Sequence, residues 1–130
     1  MGNTQSINKI NFEDMKNAIT NNCIIINTLN ENKQECLIYN TVMLQNEEII
    51  INNCIKQNLH EKIIIYGENS QDDKIISKYY QLYKLGFTNI YVYVGGLFEW
   101  LLLQDIYGKD LFQTTSEDLD ILKYKGSCLL

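Results

Sequence analysis

The side chains best suited to nucleophilic or metal chemistry are four cysteines and a single histidine. They are Cys23, Cys36, Cys54, His60 and Cys128, and no two of the cysteines form a C-x-x-C pair. A structural zinc site needs several Cys or His residues at paired spacing, so we predict neither a metal site nor a bound cofactor. The start of the chain is polar and lacks the apolar segment of a secretory signal, so free thiols in a reducing compartment are expected.

Cys36 is the first suspect for a working thiol. It lies close to a polar loop, whereas Cys23 starts an apolar run and Cys54 lies on a predicted helix, where packing in the core is expected. A reactive thiol needs a lowered pKa, and we expect no basic neighbour that would lower the pKa of Cys36. His60 stands between a predicted helix and a predicted strand, a position typical of an exposed linker residue.

The second candidate site is the loop of sequence GENSQDD, which follows a predicted strand at Lys62–Tyr66 and precedes a predicted helix. Its residues are Gly67, Glu68, Asn69, Ser70, Gln71, Asp72 and Asp73. Ligands of open α/β sheets bind outside the carboxyl ends of the strands, and a helix N-terminus attracts anions. Three residues of this loop are acidic and none is basic, however, so the loop should repel an anionic substrate.

The same three carboxylates raise the alternative of a divalent-cation site. Their spacing matches no calcium-binding loop, so a solvated, helix-capping role is favoured for Glu68, Asp72 and Asp73. Ser70 and Asp73 have the spacing of a capping box at the start of the following helix.

The elements that must position these residues alternate along the chain between strand and helix. The first half contains a helix from Phe12 capped by Asn11, a strand at Cys23–Thr28, a strand-like segment at Cys36–Leu44 and a helix from the cap Asn46 to Leu59. The second half contains a strand at Lys62–Tyr66, a helix that ends at Leu85 before Gly86 and a strand at Ile90–Val94. A helix at Leu97–Asp105 and a short helix at Asp118–Tyr124 complete the chain. Apolar strands joined by helices indicate an α/β fold, with a parallel central sheet and helices on both faces.

Three sequence motifs follow this order of elements. Gly86-Phe87 precedes the strand at Ile90, and Gly95-Gly96-x-x-x-Trp100 follows that strand. The segment Leu37–Val42 looks like a degenerate form of a G-H-I-P-G-A region. Together these motifs resemble the rhodanese-like family over roughly residues 10–107. The resemblance implies a three-layer rhodanese-like fold, in whose catalytic members a loop cysteine carries sulfur as a persulfide; related phosphatases use the same cysteine on phosphate.

The chain departs from the family pattern at the position of the nucleophile. Gly67 stands where the family has the cysteine, and no cysteine lies between Cys54 and Cys128. The far end of the loop carries Asp72 and Asp73, where the family usually has an arginine or a polar residue. No catalytic residue is therefore expected in this loop.

The ends of the chain and its charge set further limits. We predict a flexible arm at residues 1–9, one rhodanese-like domain at 10–124 and a tail at 125–130. Residues 1–6 match the pattern M-G-x-x-x-[ST], which predicts N-myristoylation of Gly2 and a weak, reversible membrane contact of an otherwise cytoplasmic protein. The net charge is −5 and every basic residue is a lysine, so binding to nucleic acid is not expected.

Three functional hypotheses come from these observations. The first is a non-catalytic domain that acts as an interaction or regulatory module with a protein partner of unknown identity. The alternative is a sulfurtransferase or phosphatase-like enzyme that uses a cysteine at another position, with Cys36 as the first suspect. A divalent-cation sensor built on the acidic loop is the third possibility.

Overall fold

A computed structural model of the protein describes residues 7–130 and shows a four-stranded parallel sheet. Its strands are β1 (Lys9–Ile10), β2 (Ile24–Asn27), β3 (Ile63–Tyr66) and β4 (Ile90–Tyr93), arranged in the order β1-β4-β3-β2. In the register of the sheet, Ile64 lies between Ile25 and Tyr91. The predicted parallel sheet is confirmed, and β3 is one of its two inner strands, so the loop that follows β3 lies at the carboxyl edge of the sheet between its outer strands.

Four helices cover the two faces of this sheet. They are α1 (Phe12–Thr20), α2 (Glu47–Gln57), α3 (Lys74–Lys84) and α4 (Gly96–Tyr107). Side chains of a strand point alternately to the two faces, so Ile64 packs with α1 and α4 while Ile63 and Ile65 pack with α2 and α3. The result is the predicted three-layer arrangement, with one apolar core on each side of the sheet.

Local signals explain where two of the helices begin or end. The side chain of Asn11 accepts a hydrogen bond from the Asp14 amide, and the Asp14 carboxylate accepts one from the Asn11 amide, which closes a capping box at α1. After α3, Gly86 has a φ of 107° and the amide of Phe87 donates to the carbonyl of Leu82 at 3.2 Å. This Schellman arrangement confirms the predicted end of the helix.

Several predicted elements are shorter than expected. The segment Cys36–Leu44 is not a strand: it makes only isolated bridges, from Thr41 to Ile25 and from Ile38 to Thr114. The predicted helix at Asp118–Tyr124 is a 3-10 turn over Ile121–Tyr124. The segment Cys36–Leu44 is held by partners distant in the sequence, whereas the 3-10 turn keeps short-range hydrogen bonds of its own, from Lys123 to Asp120 and from Lys125 to Leu122.

The N-terminal part also differs from the prediction. Lys9, expected in a flexible arm, belongs to β1 and pairs with Val92 of β4. Gly2 lies outside the described residues, and its acylation stays a prediction. None of the helices in the described part of the chain combines the length and apolarity needed to cross a membrane.

Candidate functional site

The GENSQDD loop is held from above by the first turn of α4. The amides of Leu97 and Phe98 donate to the carbonyl oxygens of Gly67 and Glu68, at 2.9 and 2.8 Å. Gly96, the second glycine of the GG-x-x-x-W motif, has a φ of 68° and lies against the loop backbone. The motif therefore positions the loop, while Trp100 lies buried in the core and donates from Nε1 to the carbonyl of Gln113.

The carboxylate of Asp72 turns back into the loop and lies above Gly67. Its Oδ2 accepts hydrogen bonds from the amide of Glu68 at 3.2 Å and from the Thr28 hydroxyl at 3.1 Å. Its Oδ1 accepts from the amide of Lys74, at the start of α3. A Cβ atom at position 67 would lie 2.8 Å from Cγ of Asp72. The carboxylate thus occupies the space that any side chain at position 67 would need.

This arrangement replaces the predicted capping box at the start of α3. Asp73 stands at the cap position but its side chain makes no capping hydrogen bond, and Ser70 is exposed. Asp72 instead accepts a hydrogen bond from the first amide of the helix, and its carboxylate also reaches Thr28 and the Glu68 amide.

A base that the sequence did not reveal lies beside the loop. Lys33, in the 3-10 turn after β2, forms an ion pair with the carboxylate of Glu68, and its ammonium lies 5.8 Å from the ring centre of Tyr124. The pairing joins residues 35 positions apart. Glu68 is thereby directed to Lys33 and Asp72 to the backbone, and residues 7–130 contain no cluster of three His, Cys, Asp or Glu side chains that could hold a metal ion.

The remaining loop residues contact the end of the chain. The side chain of Asn69 donates to the carbonyl of Tyr124 at 2.9 Å, and Gln71 Oε1 accepts from the amide of Ser127 at 2.7 Å. Gly126 lies against the Gln71 side chain. Residues expected to form a separate tail therefore lie over one side of the loop.

Two buried polar residues fix the carboxyl ends of β2 and β3. The Asn27 side chain exchanges hydrogen bonds with Gln34 and accepts one from the amide of Leu29. The buried hydroxyl of Tyr66 accepts from the Ile38 amide at 3.2 Å and lies 2.7 Å from the Thr41 hydroxyl. Burial raises the pKa of Tyr66 above its ordinary value. These contacts hold the irregular segment that follows β2 against the sheet.

The thiol of Cys36 is buried and hydrogen-bonded. Its Sγ donates to the carbonyl of Ser116 at 3.3 Å. Burial, and after it the nearby Asp118 carboxylate, raise the pKa of Cys36, although Lys123 acts in the opposite direction. The expectation of no basic neighbour was wrong in this respect, because Lys123 is distant in sequence and close in space. The balance nevertheless favours the neutral thiol, which is the less nucleophilic form.

The other predicted side chains do not approach one another to form a catalytic group. Cys23 and Cys54 are half-buried, and burial followed by the Glu61 carboxylate raises the pKa of Cys54. Cys128 is exposed. His60 is exposed, as predicted, and its Nδ1 lies 3.0 Å from the Thr88 hydroxyl.

These environments predict an order of thiol reactivity. With iodoacetamide in excess, Cys128 should be alkylated first and Cys36 last, with rates that differ by about tenfold or more, because Cys36 is buried and largely protonated. Time-resolved peptide mapping by mass spectrometry measures the four rates, and unfolding in urea should make them similar. Preferential alkylation of Cys36 in the folded protein would contradict the structural assignment.

Comparisons with known proteins agree with this architecture. The family model described as Rhodanese-like domain matches residues 12–103. Among solved structures, the chain is similar to the Alr3790 protein from Anabaena sp., with 14% identity, a TM-score of 0.58 and coverage of 88% of this chain and 86% of that one. It is also similar to the BH2092 protein from Bacillus halodurans, with 15% identity, a TM-score of 0.56 and coverage of 91% and 90%.

At such identities the solved structures show the fold alone. No curated protein matches the chain in sequence. The match of the family model extends from the first residue of α1 into α4 and includes the GENSQDD loop and the GG-x-x-x-W motif. The chain belongs to the rhodanese-like domain family.

Proposed function

We propose that this protein is a non-catalytic rhodanese-like domain that acts as a protein-interaction or regulatory module. The observation that carries the proposal is the position of the Asp72 carboxylate, which fills the space above Gly67 and accepts a hydrogen bond from the Glu68 amide. Sulfur transfer needs a thiolate in an electropositive surrounding that can take an anionic donor. In this loop the negatively charged carboxylate of Asp72 stands where such an electropositive surrounding would be needed.

Three hydrogen bonds hold the carboxylate in this position. Its donors are a hydroxyl of the segment after β2, a loop amide and an amide at the start of α3. Hydrogen bonds to an ionised acceptor are stronger than those between neutral groups. An incoming anion would therefore have to displace the hydrogen-bonded carboxylate of Asp72. The geometry supports a loop that is closed to anionic substrates.

The alternative of catalysis through another cysteine finds less support in the described contacts. Cys36, the first suspect, is buried against the carbonyl of Ser116 and faces the Asp118 carboxylate. We therefore place the enzyme hypotheses, sulfurtransferase and phosphatase, second. Cytoplasmic location and acylation of Gly2 are part of the proposal and rest on the sequence pattern alone.

Incubation of the purified protein with thiosulfate, followed by intact-mass measurement, tests the proposal. We expect no addition of a sulfur atom to the wild type and no hydrolysis of p-nitrophenyl phosphate. A rhodanese with its loop cysteine, treated in parallel, should gain one sulfur atom that cyanide removes. A cyanide-sensitive gain in the wild type that Cys36→Ala abolishes would overturn the proposal and identify a displaced nucleophile.

A further inference from the structure

A groove of about 460 Å³ lies beside the GENSQDD loop, above the carboxyl ends of β1 and β4. Its walls are mainly apolar and come from the β1–α1 and β4–α4 connections and the first turns of α4. The apolar lining residues are Ile10, Phe12, Val94, Phe98 and Leu102. The first four are half-buried and Leu102 is 38% exposed, so the described part of the chain leaves their surfaces partly open to solvent.

Among the described residues, Glu99 is the only charged side chain that lines this groove. It is half-buried, and its Oε1 accepts a hydrogen bond of 2.6 Å from the hydroxyl of Tyr93. No ion pair within residues 7–130 includes Glu99. Burial, together with the Glu99 carboxylate, raises the pKa of Tyr93, so the hydroxyl stays a donor and holds the carboxylate at the groove.

The Glu99 carboxylate has no cation partner within residues 7–130, although the Tyr93 hydroxyl and the N-terminal turn of α4 stabilise its charge. Removing a charge from water is costly, and a cation of a partner would compensate the part of that cost that these contacts leave. The other acids near the loop have partners of their own, since Glu68 pairs with Lys33 and Asp72 bonds to backbone amides. The net charge of −5 also favours the approach of a basic partner over an acidic one.

We propose that this groove binds a basic segment of a partner protein, in which a lysine or arginine lies over Glu99 and an adjacent apolar side chain packs against Phe98 and Leu102. The proposal rests on the proposed interaction function and names the surface and the partner chemistry. Lysine and arginine suit such a site because their aliphatic stems pack on apolar walls while their charged ends reach the carboxylate. Phe98 and Leu102 are one helical turn apart on α4, so their side chains lie on the same face of the helix.

Two capped peptides serve as probes, acetyl-Ala-Leu-Lys-Leu-Ala-amide and the same peptide with glutamine in place of lysine. Their binding is followed by the amide shifts in ¹H–¹⁵N correlation spectra of the full chain at low ionic strength. We expect the lysine peptide to shift the amides of Gly95, Phe98 and Glu99, and to bind about fivefold more tightly than the glutamine peptide. Added salt should reduce this preference because it screens the charges.

Glu99→Gln is the decisive variant, because glutamine keeps an oxygen that accepts from Tyr93 and removes only the charge. In this variant the two peptides should bind equally. Glu48→Gln is the matched control: Glu48 is an exposed acid on α2, on the opposite side of the sheet, and its replacement should leave the preference unchanged. Phe98→Ala should weaken both peptides.

Three outcomes would overturn the inference. The first is equal binding of both peptides to the wild type, and the second is a preference for the lysine peptide that remains in Glu99→Gln. The third is a change of the groove amide chemical shifts with protein concentration in the absence of peptide, which would assign the groove to a second copy of the chain. None of these concerns the loop itself. If the wild type takes up no sulfur and the peptide experiment fails, the partner chemistry is wrong and the non-catalytic assignment stands.

Discussion

Gly96→Ala is expected to lower the free energy of unfolding by about 3 kcal/mol, through strain and overpacking at a single position. The backbone of Gly96 has a φ of 68°, a conformation that disfavours residues with a Cβ atom. The added Cβ would also lie 2.6 Å from the carbonyl oxygen of Gly67 and 3.0 Å from the amide nitrogen of Asn69. Both atoms belong to the backbone, so relief requires movement of the whole loop.

Gly86→Ala provides the matched control for this loss. Gly86 also has a positive φ, of 107°, but the nearest atom to an added Cβ is Cδ1 of Leu59 at 3.3 Å, the end of a flexible side chain. Gly86→Ala should therefore cost about 1–2 kcal/mol, the conformational penalty alone. Urea unfolding followed by far-ultraviolet circular dichroism measures both losses. If both variants lost the same free energy of unfolding, Gly96 would not lie as close to the loop backbone as described.

The second large effect is expected at Gly67, where it should depend on Asp72. Gly67→Ala places a Cβ 2.8 Å from Cγ of Asp72 and should cost about 2 kcal/mol by overpacking. In an Asp72→Ala background the carboxylate and its hydrogen bonds are absent, and the Cβ of residue 72, 2.9 Å from the added Cβ, is free to move away, so the same change should cost less. The two substitutions should therefore be non-additive by about 1–2 kcal/mol in the free energy of unfolding.

Asp73→Ala is the control background for this double-mutant cycle. Asp73 is adjacent in sequence and carries the same charge, but it is exposed and its side chain makes no capping hydrogen bond. Gly67→Ala should retain its full cost in that background. Additive effects of Gly67→Ala and Asp72→Ala would mean that the carboxylate does not occupy the space above Gly67, and would remove the main support for the proposed function.

A coupling between positions 67 and 72 would also explain the loop's composition. The absence of a side chain at position 67 leaves room for the Asp72 carboxylate, which then bonds to Thr28 and to the Glu68 amide. Glycine and aspartate at these positions thus form a complementary pair. Such a coupling would support the proposed non-catalytic function, because the inward-facing carboxylate would then be part of the stable loop.

Short-range signals predicted much of the fold correctly. The isoleucine-rich run that became β3, the cap Asn11 and the helix end at Gly86 depend on interactions over a few residues. The segment Cys36–Leu44 was predicted incorrectly because its partners are distant: Cys36 bonds to Ser116, 80 positions later. No local pattern carries that information.

The loop that holds the candidate residues lies between β3 and α3, as the sequence pattern predicted, but its contacts were predicted incompletely. Gly67 and the acids that follow it were identified, but the sequence placed the helix cap at Ser70 and Asp73 rather than at Asp72. The difference arises because Thr28, 44 positions away, completes the hydrogen bonding of Asp72. Lys33 was not predicted near Glu68 for the same reason, since the two come from loops that follow different strands.

The sequence by itself determined the alternation of strands and helices, the glycine at position 67 and the acidic character of the loop, since these depend on residue type and local spacing. Only the tertiary structure decided what fills the space above Gly67 and that the Glu99 carboxylate lies in the groove beside the loop. Both depend on the parallel sheet, which brings the carboxyl ends of its strands to one edge and so joins side chains from distant parts of the chain.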